Sequence, residues 1–332
     1  MKKVFIIIIC TFLFLSCKSF PDRKGEFVVA SNGDVVYQQY YKKQILWEMF
    51  GYDWLHLKSG SDDKIYTIDS EIFLSSDRIQ INNNNNMLLY QYSKTHSDKE
   101  YLTLYDVNNK KKIKTFSYSW SYPDYYWDEI TNNFYISSEY GIIEYNERGK
   151  KLRYIVKYPH RFLSDYEKYF LYDARNNELL LKKYDYDGKY KPIYATGVTY
   201  KLFLMNTKTM QMQLIYEGDK ESGIRNGCIS DDMIIWIKLN AGPKDYCLEA
   251  YDRKTGDIRT IYKPKPEHRI DDLMLINNFA FFKDNNDNVQ LNVITGEKKI
   301  IGQGNYFTDG QYIWIEKKEA DGSSQIIKEE IY

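Results

Sequence analysis

The chain has 332 residues, and its 46 basic side chains balance 46 acidic ones. That balance excludes a nucleic-acid or anionic-lipid surface recognised through bulk charge. Beyond the first 16 residues no stretch is apolar enough to span a bilayer, and the 33 tyrosines fit a strand-rich chain from a genome biased toward A and T codons.

At the N-terminus, Lys2 and Lys3 precede an apolar run over 4–15, closed by Ser16 and Cys17. A basic start, a short apolar run and a small residue make a secretory signal. About twelve apolar residues fall well short of the roughly twenty needed to cross a membrane. The order Phe14, Leu15, Ser16, Cys17 resembles a bacterial lipobox, although Phe14 stands where that pattern prefers Leu. The resemblance implies that Cys17 becomes the fatty-acylated first residue of a cell-envelope lipoprotein. Lys18 follows it in place of the Asp that marks inner-membrane retention, which favours the outer membrane. The chain divides into a signal at 1–16, a tether at 17–25 and a folded domain at 26–332.

Five strand–turn–strand segments recur downstream. Each ends its first strand on Asp or Asn, at Asp106, Asn146, Asn206, Asp252 and Asn292, with steps of 40, 60, 46 and 40 residues. An Asp or Asn side chain bonds its own backbone two residues on, and a following Gly supplies the positive φ that closes the hairpin. Polar turns also lead into apolar runs near 131–136, 166–171, 231–237, 277–282 and 309–315, read as second strands buried between neighbours. No helical periodicity follows the signal. A step of about 40 residues with four strands is the period of a propeller blade. The step of 60 carries an insertion, placed in the polar hairpin at 183–191 and the stretch to 198.

These segments, clearest at Asp252, Thr255, Gly256 and at Asn292, Thr295, Gly296, resemble the repeats of TolB-like and PQQ-type (quinoprotein-like) β-propellers over about residues 85–332. The Trp that marks quinoprotein repeats is absent from the second strands of the hairpins. The fold expected is all-β: a propeller of four-stranded blades, seven in number with six as the alternative. The last blade reads as only three strands, so the segment 26–30 is expected to close it, as propellers of this kind often do. Residues 34–80 are read as one blade. Cys228 and Cys247 fall on the first and third strands of one sheet, about 9–10 Å apart at ordinary strand spacing, beyond disulfide reach. Two buried free thiols are expected.

Catalytic signatures are missing. The sequence holds no nucleophile elbow and no Gly-rich phosphate loop, and His56, His96, His160 and His268 lack metal-ligand spacing. Acidic turns at 284–288 and 185–188 place oxygens as calcium would want them, but both stand where a hairpin turn is needed. No cofactor and no metal are expected. The candidate binding surface is the aromatic stretch Tyr118, Trp120, Tyr122, Tyr125, Tyr126 and Trp127, whose rings would serve a protein partner or stack on sugar if exposed. The leading expectation is a monomeric, non-enzymatic scaffold for an envelope protein, membrane-held through its lipid. The alternative is a glycan-binding module or an enzyme with its site in the propeller channel.

Overall fold

The computed structural model describes residues 18–45, 48–94, 97, 99–119, 123–158, 168–186, 198–219, 222–240, 245–309, 311–318 and 324–331. Cys17, and with it the acylation expected there, lies outside them. The described residues form 26 strands and no helix. They fall into two compact units: one spans the chain to Ile81 with 86–120, and the other takes 82–85 and 121–332.

The first unit is built on sheet A. Its strands run in chain order across the sheet: β1 (Lys18–Val29), β2 (Val35–Ile45), β3 (Glu48–Lys58), β4 (Ile65–Asn82), β5 (Met87–Lys94), β6 (Lys99–Asp106) and β7 (Lys111–Ser119). Asn32 and Gly33 turn β1 into β2, with Gly33 at φ 86° and its N–H donated to the Ala30 carbonyl. The segment 18–25, expected as a tether, is therefore strand, and Lys18 pairs with Gln44. β4 is long; its register against β3 runs from Ile65 to Ile72 only, and beyond that it continues to Asn82 beside β5. The region read as one blade thus extends into the sheet of the next.

The second unit stacks five sheets. Sheet B has β8 (Asp124–Asp128), β9 (Asn133–Ser138), β10 (Gly141–Asn146) and β11 (Lys151–Lys157). Sheet C has β12 (Tyr169–Arg175), β13 (Glu178–Tyr186), β14 (Val198–Asn206) and β15 (Met212–Glu217). Sheet D has β16 (Gly223–Ile229), β17 (Met233–Leu239), β18 (Tyr246–Asp252) and β19 (Ile258–Tyr262). Sheet E has β20 (Ile270–Ile276), β21 (Phe279–Asp284), β22 (Asp287–Asn292) and β23 (Lys298–Gln303). Sheet F has β24 (Tyr306–Thr308), β25 (Tyr312–Lys318) and β26 (Ser324–Glu330). Each is an antiparallel meander. Among the described residues sheet F keeps three strands. The segment expected to complete it, 26–30, is turned into pairing with β2 instead, Phe27 against Tyr37 and Val29 against Val35. The 166–171 run was read as a second strand; it leads into β12, the first strand of its sheet, and the second is β13.

Burial explains the pattern. The middle strands read as solid apolar runs, Ile234 to Ile237 for example, because they face a neighbouring sheet on both sides. The fourth strands β11, β15, β19 and β23 begin with three exposed residues each. Four apolar clusters join successive sheets. Ile142 and Leu179 share one between B and C; Leu180 and Trp236 share one between C and D; Ile235 and Phe282 share one between D and E; Phe281 and Ile315 share one between E and F.

The hairpin turns form as their chemistry requires. Asp252 Oδ1 accepts the N–H groups of Lys254 (2.8 Å) and Thr255 (3.1 Å), and Asn292 Oδ1 accepts those of Ile294 (2.9 Å) and Thr295 (3.1 Å). Gly149, Gly256 and Gly296 hold the left-handed position at φ 72°, 80° and 76°. At the equivalent place the other two turns have Lys110 (φ 52°) and Met210 (φ 59°). Cys228 and Cys247 are both buried and free, on the first and third strands of sheet D, as their spacing implied.

Candidate functional site

The first strands β8, β12, β16 and β20 lie next to one another in succession. Three of them bulge at matching places: β12 between Leu171 and Asp173, β16 between Ile224 and Gly227, β20 between Asp271 and Met274. A bulge bends its strand and re-aims the extra side chains. Here those belong to Tyr172, to Arg225 and Asn226, and to Asp272 and Leu273.

The re-aimed groups tie each sheet to the next. The Tyr172 hydroxyl donates to the Ile224 carbonyl at 2.9 Å. Asp173 is half-buried; its carboxylate accepts the Ile229 N–H at 2.8 Å and the Ala174 N–H at 2.8 Å. Burial outweighs those bonds and pushes its pKa up to about 7. Arg225 pairs with Asp271 at 3.3 Å, and the Tyr306 hydroxyl donates to the Asp272 carbonyl at 3.2 Å. The buried Asp128 at the end of β8 accepts the N–H groups of Asn176 (2.8 Å) and Asn177 (2.7 Å), both at positive φ in the turn between β12 and β13.

One charged group has no such use. Lys182, on β13 and only 8% exposed, points into the interface between sheets C and D. Its ammonium lies over the rings of Tyr184 (4.8 Å), Tyr172 (5.0 Å) and Phe170 (5.2 Å). Among the described residues its one hydrogen-bond acceptor is the Ile224 carbonyl at 3.4 Å. Desolvation pulls the amine down to about 8, and Asp124 opposes that pull. Half-buried rings continue outward from it, since Phe170 meets Tyr184 at 5.1 Å and Tyr184 meets Tyr200 at 5.1 Å, both edge-on.

The aromatic stretch singled out in the sequence is placed otherwise. Tyr125 and Trp127 on β8 are buried, Trp127 edge-on to Phe134 at 5.0 Å, and Tyr126 is half-buried. Tyr118, on β7 in the first unit, is buried too. Trp120 and Tyr122 lie outside the described residues. Tyr125 and Trp127 are interior because sheet packs against a first strand, Tyr118 is buried on β7, and Tyr126 alone of the described rings keeps partial exposure. The acidic turn at 284–288 works as a turn: Asn285 takes φ 55°, and Asp284 accepts from the Tyr262 hydroxyl (2.5 Å) and bonds His268 Nδ1 (2.8 Å). Of the turn at 185–188, the residues from 187 onward lie outside the described ones. No group of three or more His, Cys, Asp or Glu suited to a metal occurs among the described residues. Lys182 was missed because a lysine after Leu179, Leu180 and Leu181 reads as a strand reaching water. The available signal was alternation: Leu180, Lys182 and Tyr184 share one face, and Leu180 is core.

No family model and no curated protein matches the chain. Solved structures do. The β-propeller domain of the Trilobed protease from Pyrococcus furiosus, described as having an open velcro topology, aligns at TM-score 0.64 and 10% identity over 93% of this chain and 95% of that one. A prolyl endopeptidase aligns at 0.57 and 10% identity over 93% of this chain, which spans only 50% of that enzyme. An oligogalacturonate lyase in complex with manganese aligns at 0.53 and 9% identity, covering 96% and 98%. The fold is a β-propeller. At such identities the likeness carries architecture and nothing of activity.

Proposed function

We propose that this protein is a lipid-anchored β-propeller of the bacterial cell envelope, held at the outer membrane through Cys17, whose rigid frame presents its loops to an envelope protein without catalysing a reaction. The observation behind this reading is how the buried charges of the second unit are used. Asp128 and Asp173 accept backbone N–H groups of the following sheet, and Arg253 reaches across from sheet D to Glu178 of sheet C at 2.8 Å. Groups fixed this way tie neighbouring sheets together and stiffen the frame. Rigid frames of this kind deliver binding through their loops.

Seven blades are part of the proposal. β1 to β3 with the first part of β4 make one, and the rest of β4 with β5 to β7 makes a second. Sheets B to F supply five more. The fold neighbours include both enzymes and a protease's propeller domain, so architecture leaves the choice of function to the site.

In-cell crosslinking followed by identification of attached proteins tests the scaffold role. A reproducible envelope partner supports it; no envelope protein above background, with turnover or specific glycan binding by the purified chain, overturns it. The anchor has a separate test. Cys17→Ser should abolish fatty-acid labelling and release the protein from membranes. An unlabelled wild type with unchanged partitioning rejects the anchor.

A further inference from the structure

Lys182 poses a physical problem that the scaffold role leaves unanswered. An ammonium taken out of water needs a counter-charge or a full set of acceptors. Among the described residues it has one long hydrogen bond, to the Ile224 carbonyl at 3.4 Å, and no carboxylate within ion-pair distance. Three rings offer their negative faces at 4.8–5.2 Å, which offsets part of the cost but satisfies none of its N–H donors in the line of a hydrogen bond. Elsewhere in this unit largely buried cations are paired: Lys238 with Glu249 at 3.0 Å and Arg253 with Glu178 at 2.8 Å. Lys182 is the exception, and it sits beside the bulge of β12 that turns Tyr172 toward it.

We propose that Lys182 and its aromatic surround form a binding site for a small carboxylate carried on a ring-shaped body. The unused N–H donors of the ammonium take the carboxylate oxygens. Phe170, Tyr184 and Tyr200, half-buried and edge-to-face in succession, give the body an apolar and π-rich wall leading outward. An anion is selected over a neutral ligand because only an anion completes the pairing of the buried charge. A cation is excluded by the same charge. The site lies wholly within the second unit, between sheets C and D, and its existence is independent of the anchor and of any protein partner.

Proton occupancy gives the site a second signature. The titratable groups that act on the amine are Asp124 from β8, Tyr172 from β12 and Tyr184 from β13; Tyr126 and Tyr200 act on Tyr172 in turn, and Arg225 on β16 is engaged with Asp271. Tyr172 is pushed well above its ordinary range by burial and stays neutral throughout. The amine is the group that changes charge near pH 8. Carboxylate affinity therefore falls as the pH rises through that region.

The test is ligand-observed NMR titration of the full chain in neutral detergent micelles. Benzoate and glucuronate are the probes, with benzyl alcohol and glucose as uncharged counterparts. At pH 6.5 at least one carboxylate should bind saturably and its uncharged counterpart should not. Benzoate alone binding assigns an aromatic body; glucuronate alone assigns a sugar acid. Lys182→Met, whose side chain fits the same cage, should weaken binding at least about tenfold, and raising the wild type to pH 9.5 should do the same. Far-ultraviolet circular dichroism and a thermal melt confirm that the variant is folded; Lys182→Arg, which keeps the cation, serves if it is not and should retain binding. No saturable binding of either carboxylate by folded wild type overturns the proposal. So does equal binding by wild type and a folded Lys182→Met.

Discussion

The carboxylate of Asp173 on β12 accepts the backbone N–H of Ile229 on β16 at 2.8 Å, joining two sheets across 56 residues of chain. Burial raises this carboxyl to about pH 7, against about 3.9 in an unfolded chain. Between these values the folded protein keeps a proton that the unfolded chain releases. The stabilisation from this group is therefore complete below about pH 4 and is lost as the pH rises toward 7, with a slope of at most about 1.4 kcal/mol per pH unit. Asp173→Asn keeps an acceptor for Ile229 without the titration. Urea midpoints measured from pH 4 to 8 should fall with pH in the wild type and flatten in the variant; an identical slope in both counts against the assignment.

Two hairpin turns use a costly residue where their siblings use glycine. Met210 and Lys110 sit at φ 59° and 52°, the place of Gly149, Gly256 and Gly296. A side chain in that region costs about 1–2 kcal/mol, part of which glycine gives back through unfolded-state entropy. Met210→Gly and Lys110→Gly should each raise stability by about 0.5–1 kcal/mol, and Gly256→Ala should lower it by a similar amount. Thermal melts of the three variants give the signs directly.

Arg253 holds sheets C and D together from a turn. One guanidinium nitrogen donates to both Glu178 oxygens at 2.9 and 2.8 Å, and another donates to the Ser230 carbonyl at 2.9 Å. A lysine cannot serve both places at once. Arg253→Lys should cost about 1–2 kcal/mol in chemical denaturation, more than Lys254→Ala beside it, whose exposed pair with Asp232 contributes little.

Gly227 follows the β16 bulge with no room for a methyl group. A Cβ there would stand 2.8 Å from Leu180 Cδ2 and 3.3 Å from the Ile235 carbonyl oxygen, and Leu180 is fully buried. Gly227→Ala should destabilise by about 1–3 kcal/mol through overpacking. Pairing it with Leu180→Ala should recover part of the loss, as a double-mutant cycle would register.

The hairpins were legible because their chemistry is local. Asp252, Thr255 and Gly256 announce a turn whatever surrounds them, and the turn closes as read. Cys228 and Cys247 were placed correctly from strand spacing alone. What escaped depended on partners far along the chain. The bulges in β12, β16 and β20 leave no mark in the hydrophobic pattern, since an extra residue only shifts it. Tyr125 and Trp127 read as a surface because ring density resembles an interface, yet a core strand has the same composition. Lys182 drew no attention in the sequence, because a lysine at the end of a leucine run looks like a strand reaching water although alternation puts it on the face of Leu180. The strand at 26–30 was assigned to the last sheet on the ground that sheet F lacked a strand, whereas Asn32 and Gly33 already dictated its hairpin with β2.

The apolar clusters that join sheet B to C, C to D, D to E and E to F make the second unit a linear array of nearest-neighbour couplings. Within this unit, the cooperativity these clusters carry passes from one sheet to the next. Within the unit, damage at the C–D junction, where Trp236 and Leu180 meet, reaches sheet F by way of sheet E. Amide exchange followed sheet by sheet after a lesion there should spread outward in order of distance, a record of how far a single broken seam is felt.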